Sequence, residues 1–214
     1  KRQKMDAYHT QRRGGRGVSS MKRREEDVVR EMFVLNSHDY VLFFTNLGRV
    51  YRLKCYEIPE GSRTSKGMNV ANLLPITSDE KVTSLIRVSE FEEDKYLVMI
   101  TRNGIIKRTK LNDYNTARKG GIIAIDLDEG DELSWVSMTS GNDDLLVATK
   151  KGMAIRFKET DVRAMGRTAR GVKAMALNEG DYIAGMCRLD EDHLVLTVSE
   201  TGFGRLSPIS DYRI

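Results

Sequence analysis

Cysteine is scarce: Cys55 and Cys187 are the only two in 214 residues, far apart and in no CxxC or other metal-ligand spacing. A reducing compartment accounts for that usage. The three histidines, His9, His38 and His193, form no HxxxH or HExxH pair, so each reads as a loop or strand-end residue rather than a metal ligand. No apolar run approaches the roughly 18 residues of a membrane span, and no signal-peptide pattern is visible. A cytoplasmic protein with no membrane partner is therefore expected. A P-loop, a GxSxG elbow and a paired-carboxylate arrangement are also missing, so no catalytic constellation stands out. Tyr8 and Tyr212 have no surrounding acid cluster to hold magnesium. The ten methionines and the single Trp135 read as core rather than as a cofactor pocket.

Helical patterning is nearly absent, and short apolar runs rich in β-branched and aromatic residues fill the chain instead. Tyr40 to Phe44, Val50 to Leu53, Tyr96 to Ile100, Ile122 to Ile125, Leu145 to Ala148 and Leu194 to Val198 all carry strand signals. Many of them end in one kind of turn: TNLG (Thr45 to Gly48), TRNG (Thr101 to Gly104), TKKG (Thr149 to Gly152) and SETG (Ser199 to Gly202). Glycine supplies the positive φ that a tight hairpin needs. With 40% hydrophobic residues the chain can fill a core.

Charge is unevenly distributed. Residues 1 to 24 hold nine Lys/Arg against Asp6 alone, a net +8, so the remainder of a chain whose total is +4 carries −4. The densest stretch, QRRGGRG (Gln11 to Gly17), has counterparts in EGSRTSKG (Glu60 to Gly67), ARKGG (Ala117 to Gly121) and GRTARG (Gly166 to Gly171). From loop glycine to turn glycine the separation is 31 residues for Gly17 to Gly48, Gly121 to Gly152 and Gly171 to Gly202, and 37 for Gly67 to Gly104. The six extra residues fall around NLLPITS and FEED. A third marker is acidic: Asp27, Asp131 and Asp181 each lie ten residues after the loop glycine. Three markers at matching offsets make a repeat of about 50 residues. The repeat also bears on KRREEDVVREM (Lys22 to Met32), which has helix-like charges but aligns with DEGDELSW and NEGDYIAG; turn then strand is expected there.

This period, with about four short strands per unit, predicts an all-β, propeller-like fold. The expectation is a single domain over 1–214, in approximate units 1–54, 55–110, 111–158 and 159–214. The next basic loop would fall beyond Ile214, so four blades of a larger domain are expected.

QRRGGRG, its repeat context and FKETDVRAMGRTARGV resemble the C-terminal domains of bacterial DNA gyrase A subunits, with the heptapeptide similar to that family's box motif. Two departures stand out: the last arginine of the box stands where the family commonly has lysine, and Arg205 follows its turn glycine by three residues where Arg52, Arg108 and Arg156 follow theirs by four. The resemblance implies a β-pinwheel, in which strands are exchanged between blades. It also implies a non-catalytic module that wraps duplex DNA to support ATP-dependent negative supercoiling. Its partners would be double-stranded DNA, the rest of the gyrase A subunit, and the gyrase B subunit, with ATP and magnesium used elsewhere in the holoenzyme and no cofactor in this piece. The A subunit of topoisomerase IV is the near alternative, although its box is typically degenerate or absent. From the residues alone, a protein-interaction scaffold working through its acidic turns and a propeller enzyme stay open.

Exposed arginine and lysine neutralise phosphates, and loop glycines let the backbone approach them. The candidate DNA-binding residues are accordingly Gln11, Arg12, Arg13, Gly14, Gly15, Arg16 and Gly17 of the first loop, followed by Lys22, Arg23 and Arg24. Arg63 and Lys66, Arg118 and Lys119, and Arg167 and Arg170 come from the other three loops. Arg52, Arg108 and Arg156 are either secondary phosphate contacts or blade cover.

Overall fold

The computed structural model describes residues 1–8, 10–15, 17, 31–118 and 120–213. Thirteen strands occur among them, and the only helical elements are short 3-10 turns. The four repeated turns each close a two-stranded antiparallel hairpin. These are β1 (Tyr40–Thr45) with β2 (Arg49–Lys54), β4 (Tyr96–Thr101) with β5 (Ile105–Lys110), β8 (Asp144–Thr149) with β9 (Ala154–Lys158), and β12 (Leu194–Val198) with β13 (Gly204–Pro208). In every copy the turn glycine donates its N–H to the carbonyl of the first turn residue, Thr45, Thr101, Thr149 or Ser199, and takes a positive φ. Equivalent glycines thus occupy equivalent turns.

Later units complete the sheets. β3 (Val82–Val88), from the second unit, pairs with β1, and β6 (Ile122–Ile123), from the third, pairs with β2, giving the order β3-β1-β2-β6. The rule recurs one unit on: β7 (Leu133–Thr139) adds to β4 and β10 (Val172–Lys173) to β5, giving β10-β5-β4-β7. The third sheet is β11 (Ile183–Leu189), β8 and β9, and β12 with β13 form a pair. Each hairpin of the first three sheets is therefore flanked by a strand from the next unit and, in the first two sheets, by a two-residue strand from the unit after that. This is the exchange that the resemblance implied and the period alone did not.

Side-chain alternation places the core between sheets. Leu42 and Phe44 of β1 meet Leu97 and Met99 of β4 in one cluster, while Val98 and Ile100 of β4 meet Leu145 and Val147 of β8 in the next. β4 is buried on both faces, which is why YLVMIT reads as a continuous apolar run. The other face of β1, Val41 and Phe43, packs on Val70, Leu73, Leu74 and Ile76. The extra residues around NLLPITS thus cover the outer face of the first sheet.

Trp135 does not join the core as expected: it lies on β7, the edge strand of its sheet, and is 36% exposed. Met5, Met32, Met68 and Met153 are likewise exposed, whereas Met99 and Met186 are core. The strand expected over Lys22 to Met32 lies outside the described residues up to Arg30, as does Asp27, and Glu31 and Met32 are irregular.

Two loop glycines show why the repeat needs them. Gly121 has φ +77°, and a Cβ there would sit 2.5 Å from the Tyr51 ring; Gly171 has φ +110°, and a Cβ there would sit 2.5 Å from the Ile106 carbonyl oxygen. Both immediately precede the two-residue strands that dock on β2 and β5. Gly171→Ala combines an unfavourable φ with a backbone collision, so it is expected to destabilise the fold by about 1–3 kcal/mol or more. Urea denaturation checks this, and an unchanged midpoint would contradict the packing described.

Candidate nucleic-acid interface

Three of the basic loops share one local structure. Gly15 donates to the Arg12 carbonyl at 2.9 Å, Ser65 to Ser62 at 3.1 Å and Ala169 to Gly166 at 3.1 Å. Counted back from the loop glycine these are the same two positions, so the heptapeptide is one copy of a recurring turn. Its second residue is Arg13, Arg63 or Arg167. Gly14 has φ +83°, whereas a Cβ on Gly15 would fall 2.7 Å from Gln11 Oε1, the far end of an exposed side chain. Conformation therefore calls for glycine at Gly14, whereas a side chain at Gly15 would require the glutamine to shift.

Behind three of the loops stands a cation from elsewhere in the chain. The Lys1 ammonium donates to the carbonyls of Ser62, Arg63 and Ser65 at 2.9, 3.0 and 2.7 Å. Lys107, fully buried on β5, donates to the carbonyls of Ala124 and Arg167 and, at 3.5 Å, to that of Gly166. Arg49 donates to the Gly120 carbonyl at 3.1 Å. Because the peptide unit is planar and trans, a carbonyl turned inward sets the following N–H outward. The amides after Arg63 and Arg167 therefore face away from the bracing ammonium. Inward acceptors and outward donors suit an anionic ligand in front of the loop.

Arg12, Arg13, Arg63, Lys66 and Arg118 are exposed, as are Gln11, Gly14, Gly15 and Gly17. Arg16, Lys22, Arg23, Arg24 and Lys119 lie outside the described residues. The fourth loop differs from the others. Arg167 is half-buried and donates to the Ile123 carbonyl, and Arg170 makes a two-armed ion pair with Asp128. The guanidinium beside Asp128 holds that carboxyl below its usual range.

The acidic markers brace the hairpin turns. Asp131 accepts the N–H of Asn103 at 3.0 Å, and Asp181 that of Lys151 at 3.0 Å. In the second unit the equivalent acid is Glu80, which accepts from the Thr45 hydroxyl at 2.7 Å and from the Tyr51 hydroxyl at 2.9 Å. The insertion displaces it from the ten-residue offset, which hides it when the units are aligned by sequence.

Arg52, Arg108 and Arg156 are inter-unit struts. Arg52 donates to Asn115 Oδ1 at 2.8 Å and lies over the Tyr40 ring. Arg108 faces the buried Glu159 carboxylate at 3.6 Å. Arg156 pairs with Asp144 and donates to the carbonyls of Ile209 and Tyr212. Sequence reasoning missed Lys1, Arg49 and Lys107. For Lys107 a signal existed: it is a charge at a strand position that Tyr51 and Ile155 occupy in neighbouring units.

Among the described residues no group of three His, Cys, Asp or Glu side chains could hold a metal ion. No helix there is long and apolar enough to cross a membrane.

Comparison with known proteins matches these features. A family model described as DNA gyrase C-terminal domain, beta-propeller, fits residues 1–36, 39–89, 95–140 and 143–186. The chain is 45% identical over 218 positions to the DNA gyrase A subunit of Staphylococcus epidermidis, covering 100% of this chain and 24% of that protein. With the Mycolicibacterium smegmatis counterpart it shares 43% over 216 positions, 100% of this chain and 26% of that protein. The chain thus spans about a quarter of these relatives. Among solved structures, the C-terminal domain of DNA topoisomerase IV superimposes with a TM-score of 0.76 at 31% identity, over 84% of this chain and 56% of that one. A DNA gyrase A C-terminal domain gives 0.73 at 28%, over 97% and 67%. The repeated loops and hairpins, the exchanged strands and these likenesses converge: the chain belongs to the DNA gyrase C-terminal domain family.

Proposed function

We propose that the chain binds duplex DNA along its basic loops and bends it, as the wrapping module of a gyrase. The observation that carries this is the recurrence of one loop design: in three of the four loops the same turn with an arginine at its second position and, in two of those, an ammonium holding the carbonyls inward. Loops placed once per unit can follow a curved backbone without reading bases. In the holoenzyme the wrapped segment is handed on for strand passage that yields negative supercoils. The B subunit, ATP and magnesium act in other parts of that cytoplasmic enzyme, and this module carries no cofactor. The intact QRRGGRG favours gyrase over topoisomerase IV.

The test is duplex affinity measured across a salt series. The logarithm of affinity is expected to fall linearly with the logarithm of salt, with a slope of about −0.9 per phosphate neutralised. Replacing Arg12 and Arg13 by alanine should flatten that slope by roughly one unit for each phosphate no longer neutralised. Replacing Arg167 and Arg170 should flatten it less, because both are already engaged within the protein. Salt-insensitive binding would remove the proposal, and equal flattening by the two pairs would remove the asymmetry.

A further inference from the structure

We propose that Asp128 is an intramolecular competitor for DNA phosphate, its carboxylate filling the guanidinium fork of Arg170 that would otherwise grip the backbone. This rests on the basic loops being the DNA-binding surface. Arg170 donates through Nε and one terminal nitrogen to the two carboxylate oxygens of Asp128. That is the two-armed geometry with which arginine also takes a phosphate. Both side chains are about half exposed, 48% and 45%, so a ligand in solvent can reach the pair.

The pair is peculiar to one junction. Arg170 immediately precedes its loop glycine, where the other loops have Arg16, Lys66 and Gly120. Asp128 stands seven residues after the preceding loop glycine, where the other units have Arg24, Leu74 and Asn178. The sequence therefore brings opposite charges to these two positions only between the third and fourth units. Nor does the loop depend on the pair for its place: Arg167 donates to the Ile123 carbonyl, the Asp126 N–H to the Ala169 carbonyl at 3.2 Å, and Lys107 braces it from behind.

The consequence is electrostatic. A phosphate that displaces Asp128 gains Arg170 but sets a carboxylate free beside the duplex, so the exchange releases little net counterion. Loop four then adds geometry to a bent duplex without adding to the salt slope.

The experiment is binding of a short linear duplex to the protein across a salt series, with thermal melting of each variant. Asp128→Asn is expected to bind roughly two- to fivefold tighter at low salt, the range for releasing an exposed pair. Its slope should steepen by about 0.9, one more neutralised phosphate. Asp128→Ala should do the same by a different replacement. In Asp128→Asn with Arg170→Gln the gain should vanish. Unchanged or weaker binding by folded Asp128→Asn overturns the proposal, as does a gain that survives in the double variant or appears equally in Glu129→Gln, since either is a general effect of charge. Failure of the wild type to bind in a salt-dependent way overturns the proposed function instead.

Discussion

A complete gyrase carrying this domain with Arg12, Arg13 and Arg16 all replaced by alanine is expected to lose negative supercoiling while ATP-dependent relaxation or decatenation persists. The argument is about bending rather than affinity. Curving a short duplex through 40–90° costs on the order of 1–6 kcal/mol, so the wrap depends on contacts that only bent DNA can reach. The first loop has two adjacent arginines, Arg12 and Arg13, both exposed. Its turn is closed by a backbone bond from Gly15 to the Arg12 carbonyl, a bond that side-chain truncation leaves in place, so the variant is expected to keep the fold. Gly14→Ala should act in the same direction, because the turn holds Gly14 at φ +83°. The decisive comparison is supercoiling beside relaxation on one preparation. Undiminished supercoiling would make the heptapeptide merely one basic loop of four.

The repeat was legible because its markers are local. A turn glycine and a loop glycine each need a positive φ, and a sequence displays that need wherever it recurs. The partition of strands among sheets was not legible: the period fixes how often a hairpin appears, but the choice of β3 and β6 as partners of β1 and β2 is made by packing across units. The same holds within the site. Arg167 and Arg170 look in sequence like Arg13 and Arg16, yet Asp128 is 42 residues from Arg170 and only the fold brings them together. Glu80 was hidden by the insertion that shifts it out of register. The apolar face of β12 shows the reverse limit. Leu194, Leu196 and Val198 carried a clear strand signal and form that strand, but all three are exposed, because none of the described core clusters packs against that face.

Lys107→Met is expected to flatten the pH dependence of stability above neutrality. In the folded protein the ammonium is pushed down from 10.5 to about 7, first by burial and then by the charge of Arg167, against the opposing pull of Asp113 and Asp126. Tyr114 donates to the same Ala124 carbonyl at 3.2 Å, and burial raises its phenol. Between those two pH values the unfolded chain holds a proton that the folded chain has released. Stability therefore rises with pH by up to about 1.4 kcal/mol per unit. The contribution is fully present above 10.5 and is lost as pH falls through 7. Denaturant midpoints of wild type and variant, compared at several pH values across that window, should diverge progressively, and a constant difference would exclude Lys107 as the titrating group. Neutral Lys107 keeps two N–H donors, enough for the Ala124 and Arg167 carbonyls, so the loop stays braced throughout. Methionine keeps none. Duplex binding by Lys107→Met should therefore weaken in a manner specific to the fourth loop: its loss should be non-additive with that of Arg167→Ala, which shares the loop, and additive with that of Arg12→Ala, which does not.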